Sequence, residues 1–174
     1  HETRAGRMTR GMELLRRLCG DKLILGCGVP VMPAFGVVDY CRISCDVGLD
    51  WNNNFIVRSA NRETVSTRRA VLNSVFRRQL NGRAYLSDPD VFFLREDNIK
   101  LTAEEKYTLA TVNSLFGGLL LCSDNMGGYT PEARKAYEQL LRNRDARNIR
   151  VMNDGTGLSV SYDLYGAEEI LSIE

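Results

Sequence analysis

The stretch LILGCGVPVMPAFGVVDYCRISCD, running from Leu23 to Asp46, decides the fold. It opens on Leu23–Gly28, an apolar run too short for a helix and bounded by glycines, which is the pattern of a buried strand. Tyr40–Ser44 repeats that pattern as a second strand. Upstream, Met8, Met12, Leu15 and Leu18 recur at spacings of four and three with arginines between them. That is the amphipathic helix period, predicted over Arg7–Cys19 and stopped by Gly20. Downstream, a helix is expected from about Arg62 to Leu80 with Val65, Leu72, Phe76 and Leu80 facing inward, then a third strand around Arg83–Ser87. Thr102 with Glu105 forms a capping-box signature for a helix reaching about Leu115. Gly118–Cys122 reads as a fourth strand, and Thr130-Pro131 as the N-cap and first position of a helix carrying Ala133, Tyr137 and Leu140. Near-continuously apolar strands alternating with helices predict parallel βα units, and four are visible. After Arg144 the pattern changes: Ile149–Met152, Leu158–Tyr162 and Ile170–Ile173 look like short strands, with Asn153-Asp154-Gly155 as a hairpin turn. They read as the start of a separate β-rich module with too few strands to close a sandwich.

The 174 residues fall in the single-domain range, and 44% hydrophobic content, 26% charged residues and a formal net charge of +1 describe an ordinary soluble globular chain. With lysines sparse and arginines scattered among acids, neither nucleic acid nor a membrane surface is an expected partner. No window approaches 18 consecutive apolar residues, and MTRGMELLRRL is an amphipathic segment without a signal-peptide core, so a soluble, non-exported protein is expected. Five cysteines, odd in number and without a Cys-x-x-Cys pair, favour reduced thiols and a reducing cytoplasm. The single histidine is His1, so no His-based metal site, Ser-His-Asp triad or Cys-His dyad is expected. No cofactor is expected either. A chain that begins with His1 rather than methionine suggests that something upstream is missing.

In parallel α/β architectures reactive groups gather where strands end at their C-terminal edges. The predicted strand ends carry Cys27-Gly28, then Ser44-Cys45-Asp46, then Ser87-Asp88-Pro89-Asp90, then Cys122-Ser123-Asp124-Asn125. Each aspartate taken singly is as well explained by a helix cap or turn. Three consecutive strand ends bearing aspartate, without histidine or a phosphate-binding glycine loop, suit acid/base work on a sugar. Arg42 lies four residues before Asp46 on the same strand face and would be the electrostatic partner of its carboxylate. Trp51, the only tryptophan, is a candidate aromatic wall for a pyranose ring, or simply packs a loop.

Three stretches carry a resemblance: Leu23 to Trp51 (LILGCGVPVMPAFGVVDYCRISCDVGLDW), Ala84 to Glu96 (AYLSDPDVFFLRE) and Leu101 to Asn125 (LTAEEKYTLATVNSLFGGLLLCSDN). Together and in this order they resemble the second half of the catalytic domain of family 36 glycoside hydrolases, the melibiase-type α-galactosidases. The resemblance runs from about Thr3 to about Asn148. It implies half of a (β/α)8 barrel, strands five to eight, over residues 1–146, and the truncated start of a C-terminal β-sandwich over 147–174. It also implies retaining chemistry on terminal α-linked galactose, with an α-galactoside oligosaccharide as the partner. Asp46 matches the general acid/base, and Arg42 the arginine that holds the sugar and orients that acid. Cys27 and Gly28 match the pair lying against the ring hydroxyls. Asp88 and Asp90 match a supporting, turn-forming Asp-Pro-Asp element, and Asp124 is read as structural.

The family's nucleophilic aspartate ends a strand in a Lys-x-Asp context just before the first helix, and this chain has no such residue. The chain is therefore expected to hold one of the two catalytic carboxylates and to be inactive alone. Ser44-Cys45 replaces the glycine- and proline-containing forms common in the family, which is expected to tune the pocket. Two alternatives stay open: a non-catalytic sugar-binding or assembly half-barrel that associates through its exposed edges, and the same fold acting on another α-linked sugar such as N-acetylgalactosamine.

Overall fold

The structure, a computed structural model, describes residues 3–52, 65–155 and 157–173. Helix α1 (Arg4–Cys19) starts at Thr3, whose hydroxyl accepts the Gly6 N–H, and ends at Gly20. Of its predicted apolar positions only Met12 is buried; Met8, Leu15 and Leu18 face outward, because among the described residues nothing packs on that stripe. Strand β1 (Leu25–Gly26) pairs in parallel with β2 (Tyr40–Arg42), and β2 pairs in parallel with β3 (Leu86–Asp88). The Asp39 carboxylate just before β2 ties α1 to this sheet, accepting from Arg16 at 2.5 Å and from the Ile24 N–H at 2.7 Å.

Helix α2 (Thr67–Phe76) is capped by the Ser66 hydroxyl, and Arg78–Leu80 forms a separate 3-10 turn. The predicted inward face of this helix is corrected. Ala70, Val71, Ser74 and Val75 are buried, Phe76 and Val65 are exposed, and the predicted start at Arg62 lies outside the described residues. Leu72 and Leu80 do pack, partly buried, against the two cores, so the inward face is shifted from the large side chains rather than reversed. The helix meets its neighbours through smaller ones, which allow close approach to α3.

The third predicted strand falls at Leu86–Asp88 and then breaks. Pro89 has no N–H to give to a ladder, and Asp90 adopts φ 78°. Beyond the break the chain resumes as β4 (Val91–Phe92), which turns to a new parallel partner, β5 (Leu121–Cys122). Gly118 and Leu119 donate to the Ser87 carbonyl, so the run into β5 lies against β3. A Cβ at Gly118 would sit 2.6 Å from the Leu86 Cβ, so only glycine allows that approach.

Helix α3 (Ala103–Phe116) has the predicted capping box, with Thr102 and Glu105 bonding each other's backbone N–H groups. From Thr108 to Ser114 every residue is buried, as expected of a helix packed on more than one side. It touches α2, β4, the last strand and α4 (Pro131–Asn143), and the Ser114 hydroxyl donates to the Leu140 carbonyl of α4. The chain ends in an antiparallel meander of β6 (Arg147–Asn153), β7 (Leu158–Leu164) and β8 (Ala167–Ile173). Each strand is longer than its predicted apolar kernel. The second turn, Tyr165-Gly166, has φ 51° and 90°, the two positive values of a tight hairpin. The buried face of β7, Leu158, Val160, Tyr162 and Leu164, joins Val71, Phe92 and Leu109 in the main apolar core. All five cysteines are free thiols.

Two outcomes test these joints. Thr102→Ala should cost about 1 kcal/mol in urea unfolding by removing one arm of the α3 capping box. The hydrogen bonds from Arg16 and then Ile24 hold the Asp39 pKa below the usual carboxylate range. Its contribution is thus present above the unfolded value of about 3.9 and lost as pH falls through the lower folded value. Asp39→Asn should therefore flatten the acid side of the stability profile, measured by circular dichroism across about pH 5 to 2.

Candidate active site

The site is built around one guanidinium. Arg42, the last residue of β2, donates from Nε to Asp88 at 3.0 Å and from Nη1 to Asp46 at 3.1 Å, and pairs through Nη2 with Asp90 at 2.9 Å. The register explains the convergence: Arg42 stands directly opposite Asp88 on β3, and the φ 78° turn at Asp90 returns a second carboxylate to the same point. Burial opposes a charged Arg42, but the hydrogen bond and charge of Asp88, then the charge of Asp90, outweigh it and raise its pKa.

The three carboxylates are not equivalent. Asp88 has a side chain only 1% exposed and accepts from Arg42 with one oxygen and from the Asp90 N–H, at 2.8 Å, with the other. Asp90 likewise divides its oxygens between Arg42 and the Val47 N–H, the latter at 2.6 Å. Asp46 has the single bond to Arg42 and is 83% exposed. Two carboxylates therefore act as internal supports, and the third faces outward. The Val47 bond matters because it fixes the peptide that directly follows Asp46.

One supporting residue was not singled out from the sequence. Asn113 lies in the middle of α3, fully buried, and its amide donates to the Asp90 carbonyl at 3.1 Å and the Val91 carbonyl at 3.3 Å. It holds the strand break at its strained residue. The available signal was an asparagine inside the otherwise apolar and small run LATVNSLF, where a buried amide must have partners.

Cys27 is exposed just past β1. Gly28 follows at φ 72° with open space where a Cβ would stand. Ser44 and Cys45 reach toward α2, Ser44 accepting from Asn73 at 3.2 Å and Cys45 contacting the Ser66 carbonyl at 3.7 Å. Trp51 is half-buried against the main core, its carbonyl accepting the Arg68 N–H, and it lines a different cleft with Thr102 and Tyr107. The structure thus joins Arg42, Asp46, Asp88 and Asp90, while Trp51 packs against the main core. The Asp124 side chain is inaccessible to solvent and accepts from the Leu94 and Arg95 N–H groups and the Tyr129 hydroxyl, a brace between the loops after β4 and β5.

This arrangement predicts an asymmetry. Arg42→Ala strands two buried carboxylates and should destabilise the chain by about 3–5 kcal/mol, whereas Asp46→Ala removes an exposed pair and should cost less than about 1 kcal/mol. Urea denaturation of both variants checks it.

No family model matches the sequence. Solved structures do. The chain superposes on the α-galactosidase TtGalA of Thermus thermophilus in complex with p-nitrophenyl α-D-galactopyranoside with a TM-score of 0.72 and 26% identity, covering 94% of this chain and 33% of that one. The same enzyme in complex with stachyose gives a TM-score of 0.70 and 27% identity, covering 79% and 30%. α-Galactosidase I from Mortierella vinacea matches at 0.65 with 16% identity, covering 95% and 46%, a likeness of fold. The chain spans about a third of the Thermus enzyme and under half of the fungal one. Its mixed α/β fold is that of an α-galactosidase, and the chain resembles part of a family 36 enzyme of that kind.

Proposed function

We propose that this chain is part of a retaining α-galactosidase in which Asp46 is the general acid/base. The observation that carries the assignment is the inequality among the carboxylates around Arg42: Asp88 and Asp90 have both oxygens engaged internally, while Asp46 presents an outward oxygen. An acid/base must reach the glycosidic oxygen, give it a proton, and later take one from water. Asp46 can do so while Arg42 fixes its direction. The guanidinium's charge is already balanced by the two buried carboxylates, so it acts on Asp46 mainly as an orienting donor.

The nucleophilic carboxylate of the retaining pair comes from a segment outside this chain, at about 5–5.5 Å from the acid/base in such enzymes. Two features support this. The supporting carboxylates are committed to Arg42, and two thirds of the Thermus enzyme has no counterpart in the chain. The parallel order β1-β2-β3 and β4-β5 supports residues 1–146 as half of a (β/α)8 barrel, strands five to eight, and the meander supports 147–174 as the start of the β-domain. Leu25, Tyr40 and Leu86 stand in register on one sheet face, and the two leucines are exposed. The outer edges of these short sheets suit pairing with further strands, whether from the rest of the polypeptide or from a second copy. Cys27, Gly28 and Arg42 would line the sugar, Trp51 standing further out. The substrates would be α-galactosides of the melibiose and raffinose type, and the free thiols fit a reducing cytoplasm.

The 174 residues alone should not turn over an aryl α-galactoside. In the complete polypeptide, Asp46→Ala should slow poor leaving groups by about 10²–10⁴-fold and activated aryl galactosides far less, because only the former need protonation. Equal losses on both substrates in steady-state kinetics would refute the acid/base role.

A further inference from the structure

A second cleft, of about 760 Å³, lies apart from the Arg42 cluster, between the first turns of α3 and α4 and beside the loops that follow β4 and β5. Its apolar lining is Leu94, Ala103, Ala133 and Ala136, with the rings of Tyr107 and Tyr129. Tyr107 is the open one, 52% exposed although it sits on the most buried helix of the chain.

The polar groups divide into two sets. Both cations are committed, Lys106 to the Arg95 carbonyl and Glu96 at 3.0 and 2.7 Å, and Arg95 to the Ser123 carbonyl and Asp124. Both helix N-termini are closed by their own threonines, Thr102 and Thr130. An anion therefore finds no uncommitted cation there. Asp97, Asn98 and Glu132, by contrast, have no side-chain hydrogen bond among the described residues. With two committed cations against three carboxylates the lining carries a net charge of −1, on exposed, solvated side chains whose screened field does little to repay the desolvation of a full positive charge. What remains is an aromatic face, small apolar walls and free acceptors, in a volume within the range of small-molecule sites.

We propose that this cleft binds a neutral, hydroxyl-rich ligand, one unit of an oligosaccharide, with its apolar face on Tyr107 and its hydroxyls donating to Asp97 and Glu132. Because the strands are parallel, the loops after β4 and β5 lie on the same edge as the loop bearing Asp46. A glycan held in the cleft would thus be retained on the face where cleavage is proposed. The ligand class follows from the cleft alone; the choice of an α-galactoside as probe rests on the proposed function.

The test is an amide-shift titration of the isotope-labelled 174-residue chain with stachyose, maltotetraose and spermidine. Stachyose should saturate shifts at Ala103, Tyr107 and Ala133 in the millimolar range, and Tyr107→Ala and Asp97→Asn should each weaken it about tenfold. Asp97→Asn is an exposed change that keeps the proposal testable if the tyrosine variant folds poorly. Asp46→Ala should leave these shifts unchanged. Saturation by maltotetraose as well would support a general sugar site. No saturation by either sugar, shifts confined to residues 42–48, or tighter binding of spermidine would overturn the cleft. Cleft binding without any response near Asp46 would uphold it and count against the proposed active site instead.

Discussion

One buried guanidinium organises this chain. Arg42 brings three carboxylates, from β3, from the break after it and from the loop after β2, to a single point, and removing it would leave Asp88 and Asp90 charged and unpaired in the interior. Buried charges of this kind are costly unless every partner is in place. The surrounding fold meets that demand: the β2–β3 register sets Arg42 opposite Asp88, the break at Pro89 and Asp90 returns a second carboxylate, and Asn113 pins the break from the far side. The exposed Asp46 is the one member of the cluster whose position is inherited from the others.

The split third strand does two jobs through one irregularity. A continuous strand would have placed residue 90 in regular alternation and kept a single partner. Because Pro89 cannot donate and Asp90 turns left-handed, the chain changes partners from β2 to β5, and Asp90 is aimed back along β2. A left-handed conformation at a non-glycine residue carries a cost, borne here by four hydrogen bonds or ion pairs made by Asp90 and its neighbours.

Much of this was legible in the residues. The caps Thr102 and Thr130 and the alternation of short apolar runs with helices announced parallel βα units, and the strand ends named Arg42, Asp46, Asp88 and Asp90 as the place to look. Other features were not. The inward face of α2 was hidden because Ala70 and Ser74, not Phe76, make the close contact. The length of β6 to β8 was hidden because cross-strand pairing extends a strand through polar residues such as Asp163 and Glu168 that carry no apolar signal. Trp51 illustrates a third limit: its closeness in sequence to Asp46 does not say where the ring packs, and here it lies half-buried against the main core.

The grip of Asn113 on the strand break also bears on how the protein is made. During synthesis Arg42 and Asp46 leave the ribosome well before Asp88, Asp90 and α3. The guanidinium therefore emerges beside Asp46 but without its two buried partners, Asp88 and Asp90. Only when the middle of α3 has emerged can the break be locked and the carboxylates drawn in. The geometry around Asp46 is thus a late product of folding, set by residues made long after it.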